Sequence, residues 1–265
     1  FWLKRLAQLA TFCQAVAPEG QTTSYPDHIT MADEKVLLAR YAERAERYDE
    51  MADFMKERVE FGTQLNAEER DMFSAAFKGA LTGRRHAVRV AMTVESQETG
   101  AGFPDKGMLA AGYRTKVEAE LQEVCDKALR LLKERLVPGA EPGEAKTFYL
   151  KMMGDYYRYI TECAVGESRS RAADEANAAY QMGTNEAASL SKIHPVRLGL
   201  ALNFSVFQHE VFNDTEAAMN TAQTAWAAAR QELDCAPEDQ RNSESNNDAI
   251  LTMQLLQDNL MLWEG

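Results

Sequence analysis

Glycine and proline are scarce in this chain, which has only 15 Gly and 7 Pro among 265 residues. Because both residues interrupt helices and build tight turns, their scarcity favours long helices over the frequent turns of an all-β fold. The sequence also has no long stretch that alternates apolar and polar residues, which would indicate half-buried strands. An all-α fold is therefore expected.

Long apolar runs and clustered cysteines are missing as well. No run of about 18 apolar residues occurs, so the sequence predicts no membrane-spanning helix and no membrane insertion. The four cysteines are far apart in sequence and indicate neither a zinc site nor a disulfide framework; they are Cys13, Cys125, Cys163 and Cys235. This usage is consistent with a reduced, cytoplasmic setting.

Positive charge is in the minority. The chain has 29 Lys and Arg against 41 Asp and Glu, for a formal net charge of −12. This excess of negative charge argues against nonspecific binding to nucleic acid or to an anionic membrane. Any anion-binding site must therefore be local.

The sequence also lacks the motifs of several enzyme classes. Its four histidines do not form HExxH, and no Glu-x-x-His pair indicates a di-iron bundle. GxSxG, the P-loop and GxGxxG are absent. His194 precedes Pro195, which is typical of a helix start rather than of a catalytic base. We therefore expect no enzyme and no metal or other cofactor.

Helical patterns follow one another through most of the chain. Asn66 with Glu69 three residues later predicts a capping box, and Asp214 is expected to cap a later helix. The pattern predicts nine helices in a main domain, residues 31–265: 33–46, 48–61, 66 to about 97, 109–136, 147 to about 166, 172–190, 194–212, 214–233 and 249–263. Residues 1–30 are expected to be an N-terminal extension, with a short amphipathic helix over 1–16 and a linker over 21–30.

One predicted helix, residues 147–163, carries two different stripes. The apolar stripe comprises Tyr149, Met152, Tyr156, Ile160 and Cys163, and the charged stripe comprises Lys151, Asp155, Arg158 and Glu162. Asp155 and Glu162 can orient the Arg158 guanidinium. Tyr159 offers a hydroxyl beside it, and such a rigid donor group suits a phosphate. The alternative is a solvated face whose ion pairs each stabilise the helix by ~0.2–0.5 kcal/mol.

Four predicted helices each carry two residues seven positions apart, which two helical turns place on one face. These pairs are Lys78 with Arg85, Lys151 with Arg158, Asn203 with Glu210, and Leu255 with Leu262, with Asn259 between the last two. Taken singly, the charges would be surface residues, the amides satisfied polar residues and the leucines core residues. Together they describe a groove with a basic wall and an apolar wall. Asn203, within an apolar helix, requires a polar partner.

Four motifs in order resemble the 14-3-3 family: AERYDEM (45–51), FYLKMMGDYYRY (148–159), HPVRLGLALNFSVF (194–207) and MQLLQDNLMLW (253–263). The resemblance extends over residues 33–263. It implies nine antiparallel helices in a cup-shaped subunit, and a dimer. It also implies an amphipathic groove in each subunit that binds phosphoserine or phosphothreonine peptides.

The resemblance further implies roles for individual residues. The phosphate would be held by Lys78, Arg85, Arg158 and Tyr159. The peptide groove would comprise Lys151, Leu202, Asn203, Val206, Glu210, Leu255, Asn259, Leu262 and Trp263. The dimer interface would include Arg47, Glu50, Tyr113, Lys116 and Glu120. The protein would be an adaptor that regulates phosphorylated client proteins, as a homodimer or with a paralogue, and not a catalyst.

Several positions depart from the family pattern. Val88 replaces a usual tryptophan, and Ala87 stands where some members have a phosphorylatable serine. Met153 replaces a usual basic residue, and Gln208 with His209 replaces a pair that is usually aromatic. The departures at Val88 and at Gln208 with His209 leave open a phosphorylation-independent scaffold as the alternative. An enzyme is a more remote third.

Overall fold

The structure is a computed structural model and describes residues 30–62, 64–235 and 246–264. All regular secondary structure in these ranges is helical. The nine long helices are α1 (Met31–Arg44), α2 (Tyr48–Phe61), α3 (Ala67–Gly100), α4 (Pro104–Leu131), α5 (Glu144–Thr161), α6 (Gly166–Glu186), α7 (Pro195–Glu210), α8 (Thr215–Cys235) and α9 (Asn247–Glu264). The predicted all-α fold with nine helices is confirmed.

The predicted helix over residues 1–16 and nearly all of the linker over 21–30 lie outside the described residues. The division of the chain into an extension and a main domain at residue 31 therefore stays a prediction. Among the helices that the structure describes, none is both long and apolar enough to span a membrane.

Local signals in the sequence set several helix starts. The Asn66 side chain accepts a hydrogen bond from the Glu69 backbone N–H at 2.9 Å, and Glu69 Oε2 accepts one from the Asn66 N–H at 2.9 Å, which is the predicted capping box. Asp214 Oδ1 accepts from the N–H of Ala217 at 2.9 Å. His194 Nδ1 accepts from the N–H of Val196 at 3.3 Å, so this imidazole helps to begin α7.

Several predicted helix boundaries differ from the observed ones. The predicted helices leave residues 98–108 as a break, but only 101–103 lie outside a helix, and α4 already begins at Pro104. Gly107 does not break α4. A Cβ there would lie 2.5 Å from Thr99 Oγ1, so this glycine lets the ends of α3 and α4 approach closely. The sixth helix begins at Gly166, six residues before the predicted start.

The fourth helix also continues in an unexpected form. After Leu131 the helix continues as a π-helical segment, Leu132–Leu136. This helical segment then ends in a short α-helical turn, Val137–Gly139. Leu132 and Leu136 are both fully buried in this segment. The wider π turn therefore keeps two apolar side chains in the core where the helix ends.

The core lies in three clusters that the helices share. The largest includes residues of every helix from α1 to α6 and contains Phe73, Phe77, Leu121, Tyr149 and Tyr156. A second surrounds Tyr180 with Phe204 and Phe207, and a third joins α7, α8 and α9. Helix α5 packs against α6 and α7, and α7 packs against α8 and α9. Helices α7 and α9, which carry most of the predicted groove residues, are therefore neighbours and share the third core cluster.

Gly154 sets the distance between α5 and α6. A Cβ at this position would lie 2.5 Å from Tyr180 Cε1. This distance is shorter than a van der Waals contact, so any side chain here would force the Tyr180 ring to move. The absence of a side chain lets the Tyr180 ring lie directly on α5. Its hydroxyl then reaches Asp155, the next residue of that helix.

Candidate functional site

Two arginines from different helices converge on one aromatic ring. Arg85 on α3 places its guanidinium carbon 4.0 Å from the centroid of the Tyr159 ring, and Arg158 on α5 places its own at 4.8 Å. Cations at these distances are attracted by the electrons of the ring face. The structure therefore brings together three of the four residues that the resemblance assigned to a phosphate.

Arg85 is held by a carboxylate from the end of α5. Its Nε donates to Glu162 Oε2 at 3.0 Å and its Nη2 donates to Glu162 Oε1 at 2.5 Å. Arg158 Nη1 lies 4.0 Å from the same Oε1, and Arg89 Nη1 lies 3.9 Å from Oε2. The expected pair of Glu162 with Arg158 is thus only a long contact, and the hydrogen-bonded partner of Glu162 comes from another helix.

Asp155 is a buried carboxylate that joins three helices. Its Oδ2 accepts a hydrogen bond from Lys151 Nζ at 2.9 Å. Its Oδ1 accepts from the Tyr180 hydroxyl at 2.6 Å and from Asn203 Nδ2 at 2.7 Å. The polar partner that the sequence required for Asn203 is therefore Asp155, and the lysine and amide predicted for the groove lie on one carboxylate.

Burial and charge act in opposite directions on the acidity of Asp155. Burial alone would raise the pKa of this carboxyl. The charges of Lys151 and Arg158, together with the hydrogen bonds from Lys151 and Tyr180, outweigh burial and hold the pKa of Asp155 below its usual value. The carboxylate is ionised at neutral pH and keeps the neighbouring cations in place.

Arg158 is nearly enclosed, with the Tyr180 hydroxyl nearby but no carboxylate within hydrogen-bond distance. Its side chain is only 12% exposed, and its Nε is buried with no hydrogen-bond partner in the described part of the chain. The carboxylates of Asp155, Glu162 and Glu210 lie 3.9–4.0 Å away, beyond hydrogen-bond distance. A buried donor without an acceptor is costly, so this guanidinium can gain from an anion that fits against it.

Tyr159 provides a neutral donor in the same place. Burial raises the pKa of its hydroxyl, and the nearby negative charge of Asp155 raises it further. The hydroxyl therefore stays protonated at physiological pH and can donate a hydrogen bond.

Lys78, the fourth predicted phosphate ligand, is exposed on α3 two turns before Arg85 and forms no ion pair within the described ranges.

The other predicted groove residues lie on α7 and α9. Leu202 and Trp263 are partly buried against the cluster that joins α7, α8 and α9. Leu255 and Leu262 on α9 are 45% and 75% exposed, which is unusual for leucine on two turns of one face. Within the described residues, neither Val206 nor Asn259 forms a hydrogen bond or ring contact with another groove side chain, although each lies on its predicted helix.

The sequence did not reveal that His209 links α7 to both α8 and α9. Its ring stacks on Trp263 with centroids 4.9 Å apart and planes 27° apart, and its Nδ1 lies 3.1 Å from Thr215 Oγ1. The imidazole therefore supplies an aromatic contact at a position where the resemblance implies an aromatic residue. That departure was the available signal, but spacing alone could not identify the partner. Gln208 Oε1 beside it is buried and has no partner in the residues described.

The predicted dimer residues lie at the surface of the N-terminal helices. Arg47 and Glu50 form an exposed ion pair with each other, and Tyr113 is 57% exposed. Lys116 and Glu120 form no ion pair within residues 30–62, 64–235 and 246–264. These side chains are accessible to a second molecule, but the single chain does not show a dimer.

The described residues also include three cysteines. Cys125, Cys163 and Cys235 are free thiols. Burial raises the pKa of Cys125 and raises that of Cys163 to about 11, so neither forms a reactive thiolate near neutral pH. No group of His, Cys, Asp and Glu side chains in this part of the chain could hold a metal ion.

Known proteins are similar to this chain over most of its length. The family described as 14-3-3 protein matches residues 38–264. The chain is 44% identical over 235 residues to 14-3-3 protein 2 of Entamoeba histolytica, which covers 89% of this chain and 97% of that protein. It is 46% identical over 237 residues to the 14-3-3-like protein GF14-A of Oryza sativa subsp. japonica, covering 87% and 88%. The 14-3-3 family protein artA of Aspergillus flavus is 43% identical over 232 residues, covering 87% and 95%. The chain belongs to the 14-3-3 family.

Proposed function

We propose that this protein is an adaptor that binds phosphoserine or phosphothreonine in client proteins and has no catalytic role. The observation that supports this most directly is the convergence of Arg85 and Arg158 on Tyr159, with the buried Nε of Arg158 left without an acceptor. A phosphate monoester carries about −1.5 to −2 charges and offers three acceptor oxygens. It can therefore satisfy donors from α3 and α5 at the same time.

We assign the remaining groove residues by their positions. Lys78 would add a further positive charge from α3, and Lys151 and Glu210 would line the groove beside the phosphate. Asn203 and Asn259 would bond the peptide backbone. The exposed leucines Leu255 and Leu262 support an apolar wall, completed by Leu202, Val206 and Trp263. Such a wall would select apolar side chains that flank the phosphorylated residue.

The proposal is tested with one peptide in two forms. Two charge-assisted hydrogen bonds, each contributing about 1.5–3 kcal/mol, predict that a phosphoserine peptide binds at least about 100-fold more tightly than the same peptide with serine. Fluorescence anisotropy with labelled peptides at fixed salt measures both dissociation constants. Equal affinities would exclude the proposal and favour the phosphorylation-independent scaffold, which the departures at Val88, Gln208 and His209 leave open.

We further propose that the protein is a dimer formed by its N-terminal helices, with Arg47, Glu50, Tyr113, Lys116 and Glu120 at the interface. Helices α1, α3 and α4 expose several large apolar side chains, namely Met31, Tyr41, Val90, Met92, Val94, Leu109 and Tyr113. Exposed apolar surface of this kind supports contact with another protein. Two grooves in one assembly would bind doubly phosphorylated clients with increased avidity.

Sedimentation equilibrium tests the dimer. We expect twice the mass of one chain for the wild type and at least a tenfold weaker dimer for Tyr113→Glu, because a charge would enter an apolar interface. Met182→Glu changes a similarly exposed apolar residue on α6, and should leave the dimer unchanged. A monomeric wild type at micromolar concentration would contradict this part of the proposal.

A further inference from the structure

Glu162 occupies an unusual place for a carboxylate. It is the C-cap residue of α5, where the helix presents its unpaired carbonyl groups and the negative end of its dipole. A carboxylate is electrostatically disfavoured there. Its side chain nevertheless contacts arginines from two helices, since Arg85 and Arg89 lie on α3 and Arg158 lies on α5. The presence of a carboxylate at this position is therefore explained by its contacts with arginines and not by the electrostatics of the helix end.

The two arginines at the proposed phosphate site need a counter-charge when no ligand is present. Both guanidinium carbons lie within 5 Å of the same ring centroid, at 4.0 and 4.8 Å, and like charges this close repel each other. Glu162 Oε1 contacts both, with a hydrogen bond from Arg85 Nη2 at 2.5 Å and a longer electrostatic contact to Arg158 Nη1 at 4.0 Å. Without this charge, the more exposed Arg85 side chain would be free to move away from the enclosed Arg158 toward solvent.

The contact also leaves Arg85 available for a ligand. Glu162 binds the edge of the guanidinium formed by Nε and Nη2, and the Tyr159 ring covers one face. A guanidinium has five N–H donors, so the outer edge, which includes both N–H groups of Nη1, stays free. No hydrogen bond from Nη1 of Arg85 to a described residue is present. A carboxylate on the inner edge therefore orients the outer edge and does not block it.

We infer that Glu162 is a positioning residue that assembles the phosphate site before a client binds, by holding Arg85 and Arg158 together through their shared carboxylate. This inference rests on the proposed function. It predicts that removing the negative charge weakens phosphopeptide binding, although the groove becomes more positive. The opposite role, in which Glu162 competes with the phosphate for Arg85, predicts tighter binding of the same variant. The sign of the change distinguishes the two.

The experiment measures binding of one phosphoserine peptide to wild type, Glu162→Gln, Arg85→Ala and the double variant. We expect Glu162→Gln to weaken binding by about tenfold, and to change it by less than about twofold when Arg85 is already alanine, because most of its effect passes through that arginine. Glu162→Asp keeps the charge and should recover part of the affinity. Glu175→Gln removes a carboxylate that pairs with Lys133 at 3.1 Å on other helices, and should bind like the wild type.

Thermal unfolding of each variant shows whether weaker binding results from unfolding of the protein. A Glu162→Gln variant that is folded but binds weakly supports the inference. Unchanged or tighter binding by Glu162→Gln would overturn it, as would a full tenfold loss in the Arg85→Ala background. The serine form of the peptide is measured in parallel with the wild type. If the wild type does not prefer the phosphorylated form, the proposed function fails; if it does and Glu162→Gln binds as well, only the role of Glu162 fails.

Discussion

Replacing Arg158 with alanine is expected to weaken phosphoserine peptide binding by about 2–5 kcal/mol, roughly 30-fold to several thousand-fold. The guanidinium is only 12% exposed and is surrounded by three carboxylates at 3.9–4.0 Å. Removing it takes away a buried donor and also leaves those carboxylates facing the incoming phosphate with less positive charge between them. Two unfavourable effects therefore add. Fluorescence anisotropy at constant ionic strength measures the loss.

Two companion variants make this result specific. Arg230→Ala removes an exposed arginine that pairs with Asp234 on α8 at 2.9 Å, and should not change peptide affinity. Arg158→Lys keeps the charge but loses the planar, multiply donating group, so it should recover only part of the affinity. Wild-type binding by a folded Arg158→Ala variant would show that the phosphate is held elsewhere. Thermal unfolding verifies that each variant is folded.

The fold could be predicted from the sequence because its main signals are local. Apolar residues recur at helical spacing within single helices, which predicts those helices directly. The capping box of Asn66 with Glu69 spans only four consecutive residues. The boundary errors have a physical cause. Gly107 falls between two predicted helices but lies inside α4, where it accommodates Thr99 of the preceding helix, and no local pattern shows such a contact.

The candidate site could be predicted only in part for a related reason. Seven-residue spacing showed which residues share one face of one helix, and it selected Arg85 and Arg158 separately. It could not show that Glu162 bonds an arginine 77 residues earlier in the chain. Periodicity indicates contacts only between residues three or four positions apart on one helix. It therefore predicts Arg158 as the partner of Glu162. Contacts between helices depend on packing that periodicity does not encode.

Asp155 is the residue whose loss should damage the fold and the site together. Asp155→Ala is expected to lower the free energy of unfolding by about 3–5 kcal/mol, because it removes one partner of a buried charge pair and leaves the others uncompensated. Lys151, Tyr180 and Asn203 would all lose their acceptor. Urea unfolding at one protein concentration measures the change, since the stability of a dimer depends on concentration. Asp234→Ala, which breaks an exposed pair, should change stability by less than about 0.5 kcal/mol.

The pH dependence of stability tests whether the charge of Asp155, and not only its shape, is responsible. The pKa of Asp155 is lowered in the folded protein, so its contribution is fully present above the pKa of the unfolded chain, about 3.9, and is lost as the pH falls through the folded value. Asp155→Asn keeps the shape but cannot ionise. Its deficit relative to the wild type should therefore be large at pH 7 and shrink below about pH 4. A deficit of the same size at both pH values would mean that hydrogen-bond geometry, and not charge, joins α5, α6 and α7 behind the groove.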